Sequence, residues 1–144
     1  MNDALSVHLD HHAIIDTTIR YTWLLDHGPR EKLTTVFTPD AYALLGRDCD
    51  GVEAIIARVK EALDPLDSSQ HIVSNHQVSI HGDTATCRCY FQAQHVKRGT
   101  EGGDNYMVAG RYTDNFVRTA EGWRIEHRTL TVDWVDGNDR VVRG

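Results

Sequence analysis

The sequence predicts an α+β domain: a curled antiparallel sheet, a half-barrel, wrapped around N-terminal helices to leave a conical pocket. Three observations predict it. Helical periodicity dominates the first half of the chain, and four long alternating runs fill the second. The junctions between those runs are short and rich in turn residues, which makes consecutive strands antiparallel neighbours. Strands this long in a chain of 144 residues must curl, and helices can close the concave side.

The first helix is read from Asp10 to Leu25, where Ala13, Ile14, Thr17, Thr18, Tyr21 and Leu25 recur at three- and four-residue spacing. His27-Gly28-Pro29 stops it, because glycine terminates a helix and proline cannot continue one. Arg30 to Phe37 reads as a second short helix ended by Thr38-Pro39-Asp40, and Ala41 to Leu45 as a short strand. A third helix opens at Gly51-Val52-Glu53 with Asp50 as its N-cap, burying Val52, Ile55, Ile56, Val59 and Leu63. The long strands are His71–His81 and Thr84–Lys97 around the Gly82-Asp83 turn, then Asn105–Arg118 and Gly122–Val135 around Ala120-Glu121. Arg98 to Asp104 is a glycine-rich loop, and Asp136 to Gly144 a polar, mobile tail. Residues 1–144 form one domain with an ordered core of about 9–135.

Composition narrows the function. A formal charge of −6 argues against nucleic acid, whose phosphates need a basic field. No stretch approaches the roughly 20 apolar residues of a membrane span, and Met1-Asn2-Asp3-Ala4 lacks the basic and apolar regions of a signal peptide. A cytoplasmic location is the expectation. Three cysteines fit a reducing compartment; Cys87 and Cys89, about 6.6 Å apart along one strand, read as small buried hydrophobes. His8, His11 and His12 cluster without an HExxH pattern or a convincingly placed acidic or thiol ligand, so they read as an exposed helix start and no metal or cofactor is expected.

Asp26, near the end of the first helix, and His71, at the head of a strand, can converge as an oriented general base. The order of elements, Tyr21-x4-Asp26, His71 and the terminal Trp123-Arg124-Ile125-Glu126-His127-Arg128 segment together resemble the SnoaL-like branch of the nuclear-transport-factor-2-like (cystatin-like α+β barrel) superfamily. The pattern is most similar to its lyases: scytalone dehydratase, bile acid 7α-dehydratase and lindane dehydrochlorinase. The resemblance implies that His71 abstracts a proton, that Asp26 holds it, and that Tyr21 and Arg128 assist the leaving group or an enolate oxygen. It departs from the dehydrochlorinase, which has a lysine where Tyr21 stands, and it offers Gln94 and His95 where a further acid would be sought. Trp23, Tyr42, Tyr106 and His95 are the expected substrate-binding residues, suited to a hydrophobic, ring-containing small molecule.

Bland readings stand beside these. Asp26 can simply cap its helix, Tyr21 can be core, and Arg128 can be an exposed strand arginine paired with Glu126 or with a neighbouring strand. Strict alternation puts Arg128 on one face with Leu130, Val132 and Trp134, opposite Trp123 and Ile125. Apolar positions such as Val117, Leu130 and Val132 on the outer face predict a homo-oligomer; the dehydratase resemblance implies a trimer, then a dimer. The function expected is a cofactor-independent lyase or an isomerase or cyclase, with a non-catalytic binding or assembly module of the same fold as the alternative.

Overall fold

A computed structural model describes residues 3–143. A long helix, α1 (Asp3–His27), is followed by a 3-10 turn over Arg30–Thr35 and strands β1 (Phe37–Leu44) and β2 (Asp48–Asp50). Then come helix α2 (Val52–Leu63), four long strands, β3 (Ser68–His81), β4 (Thr84–Val96), β5 (Asn105–Thr119) and β6 (Gly122–Gly137), and a last helical turn, α3 (Arg140–Arg143). The six strands form one unclosed sheet in the order β2-β1-β6-β5-β4-β3. Every pairing is antiparallel except β1 with β6, which is parallel. The sheet curls around α1 and α2, and the core lies between them.

Several boundaries differ from the sequence expectation. α1 begins seven residues before Asp10; its first turns, with Leu5 and Leu9 exposed, bury no apolar stripe that periodicity could detect. The second short helix is a 3-10 turn that ends at Thr35, and Phe37 opens β1 instead. Thr38-Pro39-Asp40 lies within that strand, where the pairing with β6 slips between Phe37 and Tyr42, so proline's missing N–H falls at a gap in the ladder. Asp50 is not the α2 cap. It pairs with Tyr42 in β2, and Gly51, with φ +92°, takes the cap position without a side-chain bond.

The tail is also different. β6 runs on to Gly137, Val141 is buried, and the Asn138 amide donates to the Glu101 and Gly103 carbonyls. Residues 136–143 are therefore packed against the glycine-rich loop; Gly144 lies outside the described residues.

Three irregularities bend the sheet and reset which residues face inward. At Asn75, with φ +59°, β3 gains one residue, so His71 and Val73 before it and His76, Val78 and Ile80 after it all turn toward the core. At Glu126, β6 gains one residue against β5, so Trp123 and Ile125 share the inner face with Arg128 and Leu130. A third shift, at Asp133, turns Trp134 to the outside. Leu130 and Val132 thus line the cavity, Val132 while still half exposed, and the outer face carries the exposed Ile72, Tyr90 and Trp134. Close packing enforces the last bend, since a Cβ on Gly110 would overlap the Thr131 carbonyl.

α1 is fixed to the sheet near both ends and, between them, by Thr18 bonded to His76 on β3. Near its start, Asp10 accepts both terminal nitrogens of Arg118 and the Trp123 indole N–H. Near its end, Asp26 meets β3.

Candidate active site

The residue before the last of α1 is Asp26, and Gly28, with φ +67°, ends the helix there. Its carboxylate accepts three hydrogen bonds from β3. Oδ1 takes the His71 ring nitrogen Nδ1 at 2.7 Å and the Ser69 hydroxyl at 2.9 Å, and Oδ2 takes the His71 backbone N–H at 2.8 Å. His71 is the fourth residue of β3, not its head, because pairing with β4 starts at Ser68. The His71 and Asp26 side chains are 6% and 8% exposed. Burial pushes the Asp26 carboxyl up, but the three donors outweigh it and hold it below the usual carboxylate range. An ionised carboxylate can only accept, so His71 Nδ1 carries a hydrogen, and in the neutral ring Nε2 is the acceptor.

His71 lines an interior cavity of about 320 Å³ with Tyr21 and Leu25 from α1, Phe91 and His95 from β4, and Tyr112 and Leu130 from β5 and β6. His95 is 9% exposed and its ring lies edge-on, 6.0 Å from that of His71. Its Nδ1–H donates to the Tyr106 carbonyl at 3.1 Å, so its Nε2 is a second acceptor. Burial lowers the His95 pKa and keeps the ring neutral. Burial raises the Tyr21 hydroxyl against the pull of Arg128, so that group stays protonated and can donate. Asp26 and His71 also line an outer groove of about 540 Å³, together with Trp23, His27, Ser68, Gln70 and Gln94 among others. His71 thus borders both cavity and groove, and Asp26 borders the groove.

The structure brings Asp26, His71, Tyr21 and His95 together and places the other expected residues elsewhere. Trp23 lies in the outer groove, its ring 5.5 Å from that of His27. Tyr42 does not line the cavity; its hydroxyl donates to Asp48 and its ring sits 4.8 Å from His127. Tyr106 backs His95 through its carbonyl, with ring centroids 6.3 Å apart.

Arg128 is fully buried behind the cavity wall and is neither exposed nor paired with Glu126. Its Nε and Nη2 each donate to Asp114 at 2.7 Å, and its guanidinium lies between the rings of Tyr21 and Tyr112, 4.4 and 4.0 Å away. Burial opposes its charge, but Asp114 outweighs burial and holds the arginine protonated.

Sequence reasoning missed Asp114 and Ser69. Asp114 alternates with Tyr112 and Phe116 on the inner face of β5, and a carboxylate in phase with two aromatics was the available signal.

Deeper in the core, the Thr18 hydroxyl donates to the Ile15 carbonyl and accepts from His76 Nε2 at 2.8 Å. Burial, aided by Arg128 and opposed by Asp114, lowers the His76 pKa. The sign follows: stability from neutral His76 is complete above the unfolded value of about 6.5 and is lost as pH falls through the lower folded value. His76→Gln should therefore reduce the loss of urea midpoint between pH 7 and 5. An unchanged slope would show that His76 protonation does not limit acid stability.

Residues 7–129 match the SnoaL-like domain family. The chain belongs to the SnoaL-like family. It is 31% identical over 118 residues to an uncharacterised protein of Mycobacterium tuberculosis, covering 78% of each chain. It is also 28% identical over 136 residues to the terrestric acid biosynthesis cluster protein E of Penicillium crustosum, covering 90% of this chain and 86% of that one. Among solved structures, a candidate scytalone dehydratase of Novosphingobium aromaticivorans superimposes with a TM-score of 0.80 at 21% identity, covering 96% and 92%. That last likeness shows that the cystatin-like SnoaL fold is shared. No helix among the described residues is long and apolar enough to cross a membrane.

Proposed function

We propose that this SnoaL-like protein is a lyase of the dehydratase kind, or an isomerase or cyclase starting from the same proton removal, acting on a hydrophobic ring compound. The observation that carries the reading is a nearly buried imidazole, oriented by a carboxylate at 2.7 Å, on the wall of an apolar cavity. His71 Nε2 takes a proton from carbon beside a carbonyl, and the freed electron pair forms the enolate. Tyr21 donates a hydrogen bond to the enolate oxygen, where charge develops. Collapse of the enolate forms the carbon–carbon double bond and expels a β-hydroxyl, which receives the His71 proton and leaves as water. Asp26 stabilises the transient imidazolium. Arg128 acts through Tyr21 and Tyr112, as a positioning residue.

The chemistry needs no cofactor. The Penicillium relative, a member of a small-molecule biosynthetic cluster by its name, supports a small-molecule substrate. The exposed Ile72, Tyr90 and Trp134 support a homo-oligomer, for which the dehydratase resemblance implies a trimer before a dimer, and the proposed site of action is the cytoplasm.

Deuterium exchange tests the reading directly. In heavy water, NMR should show wild-type protein accelerating α-proton exchange of a bicyclic ketone such as 2-tetralone, with His71→Gln slower by about 10²–10⁴-fold. Bicyclic ketones that bind but exchange equally with both proteins would favour a non-catalytic binding module.

A further inference from the structure

We propose that the cavity takes an acidic ring compound and that Arg58, at the cavity mouth, holds its carboxylate. The proposal rests on the cavity being a substrate site and adds a charge class and a specificity-determining residue. α2 presents Arg58 to the cavity beside Leu45 and Gly46, which follow β1. The Arg58 Nε–H donates to the Leu45 carbonyl at 2.9 Å, which orients the guanidinium and leaves both terminal nitrogens without a hydrogen-bond acceptor. Nη1 lies 3.8 Å from Glu61 Oε1, beyond hydrogen-bond length. The other Glu61 oxygen is taken by Arg47. Two guanidinium groups thus share one carboxylate, Glu61, which itself lines the cavity mouth beside Arg58.

Gly46 keeps the space beside the guanidinium open, since a Cβ there would stand 3.2 Å from Nη2. The Arg58 side chain is 27% exposed, so it is neither buried in a structural pair nor free in solvent. A planar fork of donors facing an apolar cavity matches a carboxylate in both geometry and charge. With its carboxylate on Arg58 and its ring against Phe91, Val108 and Leu130, a ligand would be held in one orientation relative to His71. At about 320 Å³ the cavity is at the small end of ligand sites, which suits one or two fused rings.

The test compares ring acids with their neutral amides. 1-Naphthoate, 1-naphthamide, 2-naphthoate and 2-naphthamide are titrated into wild-type protein, Arg58→Gln and Arg58→Lys by calorimetry. At least one acid should bind wild type about ten-fold more tightly than its amide, equivalent to 1.4 kcal/mol. Arg58→Gln should abolish that preference without weakening the amide, and Arg58→Lys, which keeps the charge, should retain part of it. Wild type binding no acid more tightly than its amide, or a preference that survives Arg58→Gln, overturns the proposal. The two readings separate in His71→Gln, which should keep the acid preference while losing deuterium exchange. Preference without exchange in wild type defeats only the catalytic reading, and exchange without preference defeats only this one.

Discussion

Asp114→Asn is expected to lower stability by about 3–5 kcal/mol, read as a large fall in the urea midpoint, because it strands a buried guanidinium. Arg128 and Asp114 are both fully buried, and two charge-assisted hydrogen bonds of 2.7 Å are the main offset to the loss of water around the pair. One terminal nitrogen, Nη1, already lacks a hydrogen-bond partner, so the site has no spare acceptor with which to absorb the change. Only the faces of Tyr21 and Tyr112 remain to attract the cation. Since domains of this kind are stable by about 5–15 kcal/mol, the single variant should be close to unfolding at 37 °C. The double variant Asp114→Leu/Arg128→Met removes both charges and should recover most of the loss. A single variant costing less than about 1 kcal/mol would mean that water reaches the pair and that the charge is not desolvated.

The second large effect concerns catalysis. Asp26→Asn should slow deuterium exchange by about 10²–10⁴-fold, the same range as His71→Gln, and the double variant should be little worse than either. Asp26 accepts from three donors at once, two of them on His71. An asparagine amide has one accepting oxygen, and its NH₂ would face a donor, so the imidazole loses both its tautomer and its place. Additive losses would argue against a single acid–base unit. The same carboxylate carries a pH signature. Its pKa is depressed in the fold, so its contribution is complete above about pH 3.9 and is lost as pH falls toward the folded value. Asp26→Asn should remove that part of the acid unfolding profile.

What could be read in the sequence follows from what pattern encodes. The α2 stripe was legible because Val52, Ile55, Ile56, Val59 and Leu63 repeat with helical period, and all five are buried. The turn at Gly82-Asp83 was legible from its residues. β2 was not, since Asp48-Cys49-Asp50 has no strand preference and becomes one only by pairing with β1.

The larger failure was one of phase. Period-two reasoning carries a face along a strand only until a bulge, and β6 has two, so Leu130 and Val132 were assigned to the side opposite the one they occupy. Arg128 is a candidate from the sequence, but its partner Asp114 is on another strand and cannot be inferred from spacing along β6. Asp26 and His71 stand out from residue type and placement, and the family likeness supplies their expected roles. Arg58 went unnoticed because nothing along α2 marks it as facing a cavity.

The outermost strand raises a question of self-association that Asp26 helps to answer. β3 is an edge, paired with β4 on one side only, and the free N–H and C=O groups along its outer side would invite a strand from another copy. The Asp26 carboxylate occupies the His71 N–H on that edge, and four residues later Asn75 breaks the pleat. No long, flat run of free donors and acceptors survives between Ser68 and His81. The carboxylate assigned to catalysis thus also guards the edge against fibre-like stacking, and its removal should be visible as slow aggregation even where the fold persists.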